Sequence, residues 1–329
     1  MQRRAFRWVL VCCVIATLGA AAGAAERSPA AADPAQAAPE LAVQGEYAGK
    51  IQDAGETIEY GVQIIALGDG KFQAVGYHGG LPGAGWDGSE RIRVDGQMKD
   101  GAAVFQAEGV TAAARDGKLT IAGADGTLIG TLSRIERKSP TLGAKPPEGA
   151  IVLFDGTSVE NFPGAKMTDD GLLIEGATSK QKFQSFTLHV EFRTPFMPAA
   201  RGQGRGNSGV YAQGRYEVQV LDSFGLEGKN NEAGGIYGIS DPKVNMCFPP
   251  LAWQTYDIDF TAAEYRDGQK VRNARMTVRH NGVLVQDDVE VPRATTAAPV
   301  GEGPEPGPLF LQNHGNPVRY RNIWVVEKE

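Results

Sequence analysis

Short runs of alternating side chains, cut every few residues by glycine or proline, constrain this chain more than any other feature. From Leu41 to about Arg137 they include Tyr60–Ala66, Lys71–Val75, Ala103–Ala107 and Lys118–Ala122, bounded by Asp-Gly or glycine-rich turns. A period of two is the pattern of a half-buried strand, and Asp-Gly favours the tight turn between antiparallel strands. Ser139–Gly149 then breaks any regular structure through its prolines and glycines. Beyond it the pattern resumes in Ala150–Phe154, Gly171–Glu175, Ser185–Arg193, Gly209–Ala212, Arg215–Leu221, Gln254–Phe260, Arg275–Arg279, Val283–Val285, Pro308–Gln312 and Arg319–Val326. No amphipathic helix of about 12 residues or more interrupts it. So many strands without helical crossovers predict an all-β chain. A small β-rich module is expected over 41–138, a linker over 139–149, and a jelly-roll sandwich of two antiparallel sheets over 150–329.

The first 25 residues read as a secretory signal, with Arg3, Arg4 and Arg7 before an apolar run from Trp8 to Leu18 and small residues through Ala25. That run is shorter than the ~20 residues a bilayer span needs, and no later segment offers one. The expectation is an exported protein, periplasmic or extracellular, without a membrane span. Residues 26–40, rich in alanine and proline, are expected to be a disordered leader. Losing the signal moves the formal charge from −6 to −9, because three arginines and no acid leave with it. That sign disfavours nucleic acid or an anionic membrane as partner. Two of the three cysteines leave as well, so Cys247 has no partner for an intrachain disulfide and is expected to be a small buried side chain.

Alternation also sorts the polar side chains. Leu188, Val190 and Phe192 share one face of their strand, and His189, Glu191 and Arg193 the other. Tyr216, Val218 and Val220 oppose Arg215, Glu217 and Gln219, while Leu309 and Leu311 oppose Gln312 and His314. In the last strand Arg319 and Arg321 oppose Tyr320, Asn322 and Trp324, and either face could point inward. Such rows are ordinarily the solvated side of an antiparallel strand. Merged in one sheet, they would suit a polyhydroxylated ligand, with carboxylates and amides for hydroxyls and an aromatic for a sugar face. The glycine-dense loop Arg201–Tyr211, carrying Asn207 and Ser208, runs into the Glu217 strand, where binding groups usually sit. The four histidines, His78, His189, His280 and His314, lack paired spacing, so a zinc site has little support. Neither a Gly-x-Ser-x-Gly elbow nor a dinucleotide-binding turn occurs. No cofactor is expected, apart from a structural calcium of the kind exported sandwiches often carry.

Nine blocks now fall in order: Leu153–Thr157, Leu188–Arg193, Arg205–Tyr211, Gly214–Asp222, Trp253–Asp257, Asn281–Val283, Gly307–Leu309, Leu311–Gly315 and Val318–Val325. Together they resemble the 3-keto-disaccharide hydrolase family, common in exported proteins of planctomycete-type bacteria. The family pattern has Gln-Asp-His-Gly where this chain has Asn313 in Gln312–Gly315. The resemblance implies a concanavalin-like jelly roll and a hydrolase that cleaves the glycosidic bond of 3-keto-disaccharides or 3-keto-glycosides by C2 proton abstraction, elimination and hydration. For that chemistry Glu217 and His314 are the candidate base and acid, and Arg215 and Arg321 the candidate partners of the enolate. Glu191, Asn207, Gln219, Asp222 and Gln312 are candidates for substrate hydroxyls. The keto sugar would come from an oxidoreductase encoded elsewhere. A non-catalytic carbohydrate-binding jelly roll and a structural envelope protein are the rival readings. An enzyme should bring ionisable groups with shifted acidities into one cleft, whereas a binder can rely on aromatic platforms and amides.

Overall fold

The computed structural model describes residues 29–53 and 55–328; the segment read as a secretory signal lies outside them. Residues 29–40, expected to be disordered, lie against the fold instead. Ala31 and Phe196 exchange main-chain hydrogen bonds of 3.0 and 2.8 Å, and both are buried in one cluster. Pro34–Gln36 and Pro39–Ala42 form short 3-10 helices, each begun by a proline whose fixed φ suits a first helical position. Composition predicts disorder from the lack of a self-made core, but a tail can borrow one.

Eight strands follow: β1 (Gly45–Asp53), β2 (Glu56–Gly68), β3 (Lys71–His78), β4 (Ile92–Lys99), β5 (Ala102–Ala107), β6 (Val110–Arg115), β7 (Lys118–Gly123) and β8 (Leu128–Ile135). Each pairs antiparallel with the next, and β8 returns to β1, closing a barrel. Closure leaves no sheet edge to pair with a stranger. Tyr47, Ile64, Phe72, Phe105, Leu119 and Leu132 fill its interior.

The sandwich comprises β9 (Ile151–Phe154), β10 (Leu173–Ile174), β11 (Ala177–Phe183), β12 (Phe186–Arg193), β13 (Ser208–Ala212), β14 (Tyr216–Val220), β15 (Gln254–Thr261), β16 (Glu264–Arg266), β17 (Gln269–Arg272), β18 (Ala274–His280), β19 (Val283–Val291), β20 (Gly307–Leu311) and β21 (Arg319–Glu327). One sheet runs β10-β21-β12-β15-β18-β19, with β9 also on β21. The other, four-stranded, runs β11-β20-β13-β14. Leu188, Val190 and Phe192 from the first meet Val210, Val218, Val220, Leu309 and Leu311 from the second in a continuous apolar core. The period-two reading thus holds for β12, β14 and β20. In β21 it breaks at Asn322, whose φ of 45° is left-handed. The register against β12 shifts there, so Tyr320, Ile323 and Val325 all enter the core.

The segment read as a linker is a strap. Its Gly143 N–H donates to Glu191 Oε1 (2.5 Å), Thr141 Oγ1 to Asp257 Oδ2 (2.7 Å), and Ala144 O accepts from Asn322 Nδ2 (3.0 Å). All three partners lie on the outer face of the larger sheet. The barrel and sandwich also share a core cluster, in which Ile65, Val75, Tyr77 and Leu81 pack with Phe224, Ala233 and Cys247. Gly225, with φ of 76°, permits this approach, since a Cβ there would sit 2.5 Å from Ile65 Cδ1. Arg201 Nη2 donates to Leu67 O (2.7 Å) and Arg205 Nη1 to Ala66 O (3.1 Å), tying the 201–207 loop to the end of β2. No helix among the described residues is long and apolar enough to cross a membrane.

Candidate functional site

With Val210, Val218 and Val220 committed to the core, the strand period sends Gly209, Tyr211, Glu217 and Gln219 to the outer face of the four-stranded sheet. The β13/β14 register sets Tyr211 opposite Glu217 and Gly209 opposite Gln219. Tyr211 donates its hydroxyl to Glu217 Oε2 at 2.8 Å and accepts from Gln312 Nε2 at 3.0 Å. Gln219 Nε2 lies 3.0 Å from Gln203 Oε1 and 3.2 Å from Asn207 Oδ1. Gly209 leaves the room for this cluster, because a Cβ there would stand 2.3 Å from Glu217 Oε1 and 2.8 Å from the Tyr211 ring.

Glu217 is 2 % exposed, and among the described residues no Lys or Arg is hydrogen-bonded or ion-paired to it. Burial pushes its carboxyl up to about 8, with only the Tyr211 hydroxyl pulling the other way. Burial and the neighbouring Glu217 raise the Tyr211 phenol as well. Two segments close over the group. The stretch between β19 and β20 sets Thr295 Oγ1 on the Glu217 N–H (3.0 Å) and Thr296 O near the Tyr211 hydroxyl (3.2 Å). The Gln312–Asn316 loop contributes Gln312 at one end and, at the other, Asn316 Oδ1 accepting from the Asn207 N–H at 2.7 Å.

Of the residues singled out in the sequence, Glu217, Gln219, Asn207 and Gln312 come together here. His314 stands exposed at the tip of the 312–316 loop, whose two ends are both bonded into the cluster. Arg215 does not face the cluster as an enolate partner. Its Nε donates to Gly301 O (2.7 Å) and its Nη1 to Glu305 O (2.9 Å), which holds the covering segment down. Asp222 is consumed by Arg205 Nε at 2.7 Å, below the site.

Glu191 and Arg321 belong to the opposite outer face, under the strap, and do not join the cluster. There Glu191 accepts from Arg321 Nε (2.6 Å), Asn322 Nδ2 (2.9 Å) and Gly143 N. His189 Nδ1 lies 2.6 Å from Asp257 Oδ1, and the His189 ring stacks on Trp324. The reading that all polar rows merge on one surface therefore fails, because β12 and β14 lie in different sheets. Tyr211, Gln203 and Gly209 were missed in the sequence. Tyr211 shares the parity of Gly209 in a quoted motif, but its facing of Glu217 is a matter of strand pairing. Among the described residues no three His, Cys, Asp or Glu side chains group as a metal site.

A jelly roll that gathers a carboxyl, a phenol and four amides on one sheet face is equipped as a carbohydrate-active domain. The family model described as a 3-keto-alpha-glucoside-1,2-lyase-like domain matches residues 149–326, and the chain belongs to that family. A crystal structure of a candidate glycosyl hydrolase from Parabacteroides distasonis is 33 % identical, with a TM-score of 0.51, over 55 % of this chain and 85 % of that one. A second candidate glycosyl hydrolase from the same organism is 18 % identical, with a TM-score of 0.40, over 55 % and 95 %. No curated protein matches the chain significantly.

Proposed function

We propose that the sandwich cleaves the glycosidic bond of a 3-keto-glycoside, with Glu217 and its hydrogen-bonded neighbours as the proton-handling centre. One observation carries this reading: a carboxyl 2 % exposed, with no cationic partner among the described residues and pushed up to about 8 by burial, sits among amides suited to sugar hydroxyls. A group poised near neutral pH exchanges protons most effectively.

A ketone at C3 acidifies the proton on C2. A base removes it, the electron pair passes to the C3 oxygen as an enolate, and collapse to a C1=C2 double bond expels the glycosidic oxygen with a proton from an acid. Water then adds, oxygen to C1 and proton to C2, which restores a 3-keto sugar and completes a net hydrolysis. Glu217 and His314 divide the acid and base roles. The second N–H of Gln203 and of Gln312 serves the hydroxyls and the enolate oxygen, in place of Arg215 and Arg321, while Asn207 and Gln219 hold the cluster in place. Substrate must displace the Thr295–Thr296 turn, which Arg215 tethers through Gly301 and Glu305. The substrate implies an exported setting in which a separate oxidoreductase forms the ketone.

The test is to incubate the purified protein with a 3-keto-disaccharide and with its unoxidised parent, following release of the leaving sugar. Turnover of the keto form alone is expected. Turnover of neither, with saturable glycan binding, would make the domain a binding module.

A further inference from the structure

The amide cluster contains two fixed points that decide where a proton sits. Asn207 Nδ2 donates to the main-chain carbonyl of Gln203 at 2.9 Å, and Gln203 Nε2 donates to the carbonyl of Asn231 at 2.7 Å. A carbonyl only accepts, so these contacts fix which end of each amide is nitrogen. The remaining ends, Asn207 Oδ1 and Gln203 Oε1, are acceptors, and both point at one end of the Gln219 amide, at 3.2 and 3.0 Å. That end must be the NH2 group. Gln219 Oε1 is thereby turned toward Glu217, and the two side-chain oxygens stand 2.7 Å apart.

Two oxygens at that distance need a hydrogen between them. Gln219 has none to give from this end, and the Tyr211 hydroxyl already serves the other carboxyl oxygen, Oε2. Reversing Gln219 would supply an N–H to Glu217 but would press its oxygen against two acceptors instead. The arrangement in place leaves one such approach, to Ser208 O at 3.2 Å.

We infer that in the resting protein Glu217 is a neutral carboxylic acid whose Oε1–H donates to Gln219 Oε1, and that it enters turnover as the acid and not as the base. The direction in which burial moves this carboxyl agrees. The role rests on the reading under Proposed function; the position of the proton does not. In that role the Glu217 O–H bond breaks as its proton passes to the departing glycosidic oxygen and the C1–O bond breaks. The base, His314, holds the C2 proton. When water adds to C1, its proton returns to the Glu217 carboxylate and His314 gives its proton back to C2, so both groups end as they began.

The experiment is infrared spectroscopy of substrate-free protein labelled with carbon-13 at glutamate, with the Glu217→Gln spectrum subtracted, across pH 5 to 10. A neutral-carboxyl signal should persist at pH 7 and be lost only as the pH passes about 8. An ionised carboxylate at pH 6 overturns the inference, whatever the protein does with keto sugars. Asn207→Leu frees Gln219 to turn its NH2 toward the carboxylate and should lower the midpoint by at least one pH unit; an unchanged midpoint overturns the amide relay. Turnover of a 3-keto-glycoside should fall as the pH rises through the same midpoint, and a rate that rises there makes Glu217 the base. Absence of turnover with the carboxyl signal intact would sink the functional reading and leave the proton where it is.

Discussion

Two buried glutamates on opposite faces of one sandwich behave in opposite ways. Glu191 is 1 % exposed and Glu217 2 %, so solvent exposure does not separate them. Burial drives both carboxyls upward. At Glu191 it is outweighed by the neighbouring His189 and by hydrogen bonds from Asn322, the Gly143 N–H and Arg321, which bring the group down to about 2. At Glu217 only Tyr211 opposes it, and the group rises to about 8. The chain has compensated one charge to fasten the strap to a sheet and left the other carboxyl with almost nothing to stabilise its ionised form. Strain of the second kind is what a reactive site needs and what a structural one avoids.

Glu217→Gln should break the contrast most sharply. Turnover should fall by about 10²- to 10⁴-fold, the range for a lost proton-transfer group, while circular dichroism stays native. A variant that fails to fold would put Glu217 in the structural class with Glu191. Second, Glu191→Ala removes the acceptor of Arg321 Nε, Asn322 Nδ2 and the Gly143 N–H, and urea titration should read a loss of ~2–3 kcal/mol. That lies below the ~3–5 kcal/mol of a fully buried pair because the Arg321 side chain is 36 % exposed. Turnover per folded molecule should hold.

The effect that is smallest per pH unit sharpens the pair through pH. An unfolded Glu217 ionises above its ordinary 4.5, whereas the folded one stays neutral to about 8. Its contribution is therefore full below 4.5 and declines as the pH rises to about 8. Wild type should lose stability relative to Glu217→Gln over that window by up to ~1.4 kcal/mol per pH unit. Glu191 runs the other way, contributing above 4.5 and losing its effect as the pH falls toward about 2. Parallel stability curves for wild type and Glu217→Gln between pH 5 and 8 would contradict the assignment.

Much of this was legible because strand parity is local. Alternation alone put Glu217 and Gln219 on one face and Val218 and Val220 on the other. It could not say that Glu191 and Glu217 lie in different sheets, since β12 pairs with β15 and β21 while β14 pairs with β13. Arg215 has the parity of Glu217, yet its long side chain reaches past the sheet to carbonyls nearly 90 residues on, a partnership no pattern records. Barrel closure was hidden for the same reason: β1 meets β8 only after the whole module has been made. Gln203 sat unnoticed in a glycine-dense loop, where no periodicity assigns a direction.

That loop leads back to the barrel. Arg201 and Arg205 moor it to the last turns of β2, and between them stands Gln203, with Asn207 just beyond. The orientation of Gln219, and through it the proton on Glu217, is inherited from these two amides. A β-barrel with no group in the cluster thus acts as the jig in which the chemistry is set. A sandwich cut free of it would keep every reactive side chain and lose the alignment that makes one of them an acid.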